Sequence, residues 1–134
     1  EAIIVSGMQH FEMPYGVSNR GDWWRQGESK TLSHLIGSSS HLIYITDTPH
    51  PQRDIPSCLA SGKLSQCDST QRSIPYTISG FTNINPTSWL CSSSCPAIVD
   101  KTVAYRDASH ISVAMSRKLS DKLLVALEAA GVRF

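Results

Sequence analysis

Apolar residues along this chain fall into short runs separated by polar stretches, and the spacing within each run names its element. Ala2-Ile3-Ile4-Val5 is short, continuous and β-branched, the pattern of a buried strand, with Ser6-Gly7-Met8-Gln9-His10 as a turn-like exit. Leu42-Ile43-Tyr44-Ile45 repeats the pattern and stops at the breaker cluster Thr46-Asp47-Thr48-Pro49. Phe81-Thr82-Asn83-Ile84-Asn85 is a weaker third strand ended by Pro86, and Thr102-Val103-Ala104-Tyr105 is a strand-like approach to Asp107.

Two stretches have helical spacing. Leu32, Leu35 and Ile36, with Gly37 behind them as a stop, predict a helix of about two or three turns over Ser29–Ile36. From Ser112 to Ala130, Leu119, Leu123, Leu124 and Leu127 form an apolar stripe, while Arg117, Lys118, Asp121, Lys122 and Glu128 fall on the other face. Ser112 is suited to cap the start of that helix and Gly131 to end it. Residues 11 to 28 read as irregular, with Trp23-Trp24 as the anchor of a loop in preference to a platform for a sugar. Residues 49 to 80 read as a long loop region, unusual inside a compact domain unless stapled or functional. Strands alternating with helices predict an α/β layered fold with a mainly parallel sheet.

Composition narrows the class. The 134 residues fit one domain, and a net charge of +1 without a basic run argues against nucleic acid as a partner. No apolar stretch approaches the roughly 20 residues that span a bilayer. Charged residues are only 17%, with Ser, Thr and Gly plentiful, which leans toward an extracytoplasmic setting. The chain opens inside an apolar run, so it is expected to be a piece of something longer. Its four cysteines admit three pairings. Cys58 with Cys67 and Cys91 with Cys95 would close two short loops in irregular chain, as suits an oxidising compartment. Four reduced thiols and a zinc site are the alternatives, although only Cys91-x-x-x-Cys95 has the spacing of a zinc knuckle. His41, His50 and Asp47 fit no ligand spacing, and no metal or cofactor is expected.

The candidate chemistry lies in Tyr105-Arg106-Asp107-Ala108-Ser109-His110-Ile111-Ser112, just ahead of the last helix. An Asp three residues before a His can set its carboxylate against the imidazole, fixing the tautomer and stabilising the charged ring, as a hydrolytic general base requires. Such a base needs a nucleophile, and the chain shows no convincing one: its single Gly-Asp, Gly21-Asp22, is followed by Trp23.

Taken together these segments resemble the later part of an SGNH-type domain, nearest to the SGNH domain fused behind the membrane acyltransferase family three of bacterial envelopes. The likeness rests on the strand Ala2–Val5 with its exit, Thr46-Asp47-Thr48-Pro49, Pro56-Ser57-Cys58-Leu59 with Cys67, Trp89-Leu90-Cys91 with Cys95-Pro96, and the Asp107 to Ser112 block. The resemblance implies a three-layer α/β/α flavodoxin-like sandwich with a mainly parallel sheet, incomplete in this chain, residues 1–134 being the C-terminal portion of a single domain. It implies that Asp107 and His110 are the triad Asp and His, and that the triad Ser and a glycine oxyanion donor belong to a missing N-terminal section. Gly7-Met8-Gln9-His10 falls where the family has Gly-x-Asn-Asp, which puts Gln9 at the oxyanion position. The activity implied is that of an extracytoplasmic O-acyltransferase or O-acetylesterase acting on an envelope glycan, with its acyl donor reached through a membrane acyltransferase domain. A non-catalytic glycan-binding or scaffold module is the rival reading.

Overall fold

The computed structural model describes residues 1–7, 20–51, 53–62, 64–70 and 76–134. In chain order the elements are β1 (Ala2–Ser6), α1 (Arg20–Ser33), β2 (His41–Ile45), α2 (Ile55–Ala60), β3 (Thr82–Ile84), α3 (Thr87–Leu90), β4 (Ile98–Val99), β5 (Thr102–Val103) and α4 (Val113–Ala129).

β1, β2 and β3 form one parallel sheet in that order, with Ile4 opposite Ile43 and Ile45 opposite Ile84. Side chains on a strand alternate between faces, so β2 sends Leu42 and Tyr44 one way and Ile43 and Ile45 the other. On the first face Leu42 and Tyr44 pack with Leu32 of α1, Ile78 and Phe81. On the second, Ile43 and Ile84 pack with Leu127 of α4, and Leu123 and Ala126 close around them. Helix, sheet and helix therefore make the three layers, and Ile43 and Tyr44 in the middle strand have no exposure. Burying a side chain the size of Ile43 contributes about 1.5–3 kcal/mol.

α4 matches its predicted limits. Ser112 is its N-cap, with Oγ accepting the Met115 N–H at 3.1 Å, and Gly131 beyond its end adopts φ +86°. That left-handed conformation suits a residue without a Cβ.

Three local expectations change and one holds. Residues 20–28 are helical, so α1 starts about two turns earlier than the apolar spacing suggested, and Trp23 and Trp24 lie on it. β1, expected to be buried, is an edge strand among the described strands, and Ile4 is 46% exposed. Thr102–Val103 is a strand ahead of Asp107, as its sequence suggested, and it pairs antiparallel with Ile98–Val99 through a turn at Asp100 and Lys101. The region from 49 to 80 contains α2, whose N-cap Asp54 accepts the Ser57 N–H at 2.9 Å, and a single 3-10 turn at Leu64–Gln66.

Cys58 bonds to Cys67 and Cys91 to Cys95. Both bridges lie in a second core that also holds Ile55, Ala104, Tyr105, Met115 and Leu119. A pair of backbone hydrogen bonds between Ser69 and Cys95, at 2.8 and 2.7 Å, ties the two crosslinked loops together. This core lies directly beneath the segment that carries Asp107 and His110.

Candidate active site

The segment from Ala104 to Ser112 is closed at its base by backbone pairing. Tyr105 and Ile111 form an antiparallel bridge, Arg106 N donates to His110 O at 2.9 Å, and Ser112 N donates to Ala104 O at 2.9 Å. Ala104 N is in turn held by Ala97 O at 2.8 Å, two residues past Cys95. Residues 106–110 are thus a tight excursion on a crosslinked base, with the N-terminus of α4 immediately after it.

Asp107 organises that excursion. Its Oδ1 accepts the backbone N–H of Ser109 at 2.8 Å and that of His110 at 2.7 Å, an Asx-type turn. Its Oδ2 meets His110 Nδ1 at 2.8 Å, and Arg106 Nε lies 3.5 Å from the same oxygen. The two backbone donors, His110 first and Ser109 second, hold the Asp107 carboxyl far below the ordinary carboxylate range, and the His110 ring adds to the effect. An ionised Asp107 makes Nδ1 the protonated nitrogen of a neutral His110, so Nε2 is the basic one. The His110 side chain is 56% exposed, and it lines a cavity of about 380 Å³ with Asp47, Thr48, His50 and Arg106.

That cavity opens at the carboxyl end of β2, where ligands of open α/β sheets bind. It adjoins a second cavity of about 490 Å³, with Asp47, Thr48 and Ile111 common to both. Ser6, Gly7 and Thr46 at the ends of β1 and β2 line the second cavity, together with Trp89 and Leu123. Ser109 Oγ lies 3.2 Å from His110 Nδ1. That nitrogen is engaged by Asp107, so Ser109 is on the wrong side of the ring to be its nucleophile.

Of the residues singled out from sequence, Asp107 and His110 meet, and the cysteines pair as two local bridges. Gln9 and His10 lie outside the described residues. Trp23 is largely exposed on α1 and Trp24 half-buried. The described residues contain no group of three or more His, Cys, Asp or Glu side chains placed to hold a metal ion.

Two polar pairs were not anticipated. Tyr44 Oη donates to Glu28 Oε1 at 2.8 Å beneath Gly7, where a Cβ would collide with the Glu28 carboxylate. Burial raises the Glu28 pKa, opposed by the Tyr44 hydrogen bond. The other pair is His50 Nε2 with Asp47 Oδ2 at 2.9 Å, on the loop that leaves β2. Asp47 also acts on the core behind it: burial first, then its charge, pushes the Tyr105 phenol up to about 12. The Asp47–His50 signal was present in the sequence, because Asp47-Thr-Pro-His50 has the same Asp-x-x-His spacing as Asp107-Ala-Ser-His110.

Two disulfides mark a protein of an oxidising compartment, which places the domain outside the cytoplasm. Among the described residues no helix is long and apolar enough to cross a membrane. Neither the curated proteins nor the solved structures provide a match to this chain. The family of SGNH domains fused to AT3 domains matches residues 3–124, a span that includes the parallel sheet, both disulfides and the Asp107–His110 excursion. The chain belongs to that family, the SGNH domains fused to AT3 acyltransferase domains.

Proposed function

We propose that this domain supplies the acid–base pair of a serine-dependent acyl transfer onto an envelope glycan, or of the matching O-acetyl hydrolysis. The observation that carries this reading is the 2.8 Å bond between Asp107 Oδ2 and His110 Nδ1, on a ring that faces an open cavity. With Nδ1 held, Nε2 takes the proton of a serine hydroxyl as that oxygen attacks the acyl carbonyl. The serine ester forms, and the proton passes to the departing group. In the second half an acceptor hydroxyl, or water, gives its proton to Nε2 and attacks the ester, and the serine oxygen leaves with that proton. Asp107 stays ionised and steadies the imidazolium in both halves.

The serine and a glycine oxyanion donor would come from a section preceding Glu1 in the parent protein. Gln9 would add a side-chain amide donor to the oxyanion. The fusion partner of the family, an AT3 domain, would tether the domain to the membrane and deliver the acyl group. The test is His110→Ala in the intact parent protein, assayed for hydrolysis of a simple acetyl ester and for acyl transfer. Both rates should fall by several orders of magnitude, since triad members act as a unit. A near-normal rate in either assay rejects the reading.

A further inference from the structure

The chain holds two Asp-x-x-His units, and the histidines of both line one cavity. They are wired in opposite senses. Asp107 takes Nδ1 of His110, which leaves Nε2 of a half-exposed ring for chemistry. Asp47 takes Nε2 of His50, and the two side chains are only 12% and 19% exposed for His50 and Asp47. A histidine held by its outer nitrogen is not presented as a base to a nucleophile. It is a fixed polar wall.

The remaining lining says what that wall faces. Thr48 and Ser109 bring hydroxyls, and Ile111 brings an apolar surface. The formal charges of the lining are one carboxylate, Asp47, and one guanidinium, Arg106, which lies against Asp107. There is no surplus of positive charge to hold an anion. Donors and acceptors mixed in nearly neutral surroundings, beside an apolar face, suit a neutral polyol whose hydroxyls both donate and accept. We propose that Asp47 and His50 form the subsite that seats the acceptor, a neutral sugar, so that one of its hydroxyls lies against His110. His50 is then a positioning residue that acts on the orientation of the sugar. The word acceptor rests on the acyl-transfer reading above; the existence of the sugar subsite does not.

The test uses protection of His110 in the intact parent protein. Diethyl pyrocarbonate carbethoxylates an accessible neutral imidazole, and peptide mass mapping reads the modification at His110. Neutral methyl hexosides should protect His110, while acetate and inorganic phosphate should not. His50→Gln and Asp47→Asn should each raise the hexoside concentration for half-protection about tenfold, the loss of one hydrogen bond of ordinary strength. Without sugar, the His110 labelling rate in His50→Gln should equal that of the unaltered protein. Absence of protection by any hexoside overturns the proposal, as does equal protection in both variants or protection by the anions. A changed labelling rate without sugar overturns it too, because His50 would then be supporting the loop. If His110→Ala keeps its ester hydrolysis while hexosides still protect the unaltered protein, the acyl-transfer reading fails and the sugar subsite stands.

Discussion

Asp107 holds His110 twice, through the ring at Nδ1 (2.8 Å to Oδ2) and through the backbone N–H (2.7 Å to Oδ1). One carboxylate thereby sets both where the histidine sits and which nitrogen it offers. Backbone and ring are coupled, so the side chain at 107 cannot be altered without consequence for the imidazole.

Asp107→Asn separates those two roles. The amide oxygen can still accept the Ser109 and His110 N–H groups, so the loop should keep its shape. The amide nitrogen is a donor, and opposite Nδ1 it selects the tautomer whose Nε2 carries the proton. Acyl transfer and ester hydrolysis in the intact protein should fall roughly 10⁴-fold with little change in melting temperature. Retention of more than about a tenth of the rate would mean that the tautomer is set by something else.

The pH dependence follows from the same carboxylate. Its pKa is lowered on folding, so its contribution is fully present above the unfolded value of about 3.9 and is lost as pH falls through the folded value. Between pH 7 and 5 the stability difference between Asp107→Asn and the unaltered protein should not shrink, because the carboxylate stays ionised there. Below about pH 4 the difference should shrink. Urea titrations at stepped pH values would show it, and a difference that shrinks between pH 7 and 5 would contradict the hydrogen-bonded geometry.

Ser112 works at two points, since Oγ accepts the Met115 N–H at 3.1 Å and donates to Val103 O at 2.6 Å. Ser112→Ala should cost about 1–2 kcal/mol in urea unfolding, a lost N-cap plus a lost hydrogen bond. A cost below about 0.5 kcal/mol would mean that water replaces both bonds.

The Cys58–Cys67 bridge spans a sequence separation of 9 residues. Replacing both cysteines by serine should lower stability by about 2–3 kcal/mol, on the loop-entropy estimate for a closure of that length. Thermal and urea melts of the double variant would measure it.

How much of this was legible in the sequence depends on which residues carry the signal. α4 was readable because its stripe, its Ser112 cap and its Gly131 stop agree with one another. β2 was readable because a strand buried on both faces shows as a continuous apolar run. The first part of α1 was not, because Arg20 to Ser29 includes Gly21 and Gly27 and offers little beyond Trp23 and Trp24 to form an apolar stripe. Its polarity and its glycines both argued against a helix that packing supports. The edge position of β1 was illegible for a different reason: a run such as Ala2–Val5 reads alike whether or not a neighbouring strand covers it. At the site, Asp107 with His110 was readable from spacing and flanks, whereas Asp47 with His50 shares the spacing and invited only comparison with a metal site including His41, which its spacing does not fit. It sits in a breaker cluster, where Asp and His more often serve the local turn.

Both disulfides close over short sequence separations, 9 and 4 residues, and neither joins the layer beneath the Asp107–His110 excursion to the parallel sheet. Reductant should therefore speed hydrogen exchange at the hydrogen-bonded amides of Ala104 and Ser112 well before those of β2, which is buried through Ile43, Tyr44 and their neighbours. The Asp107–His110 excursion should then come apart while the sandwich stays whole, and a circular dichroism signal that looks native is no assurance that the imidazole still meets Asp107.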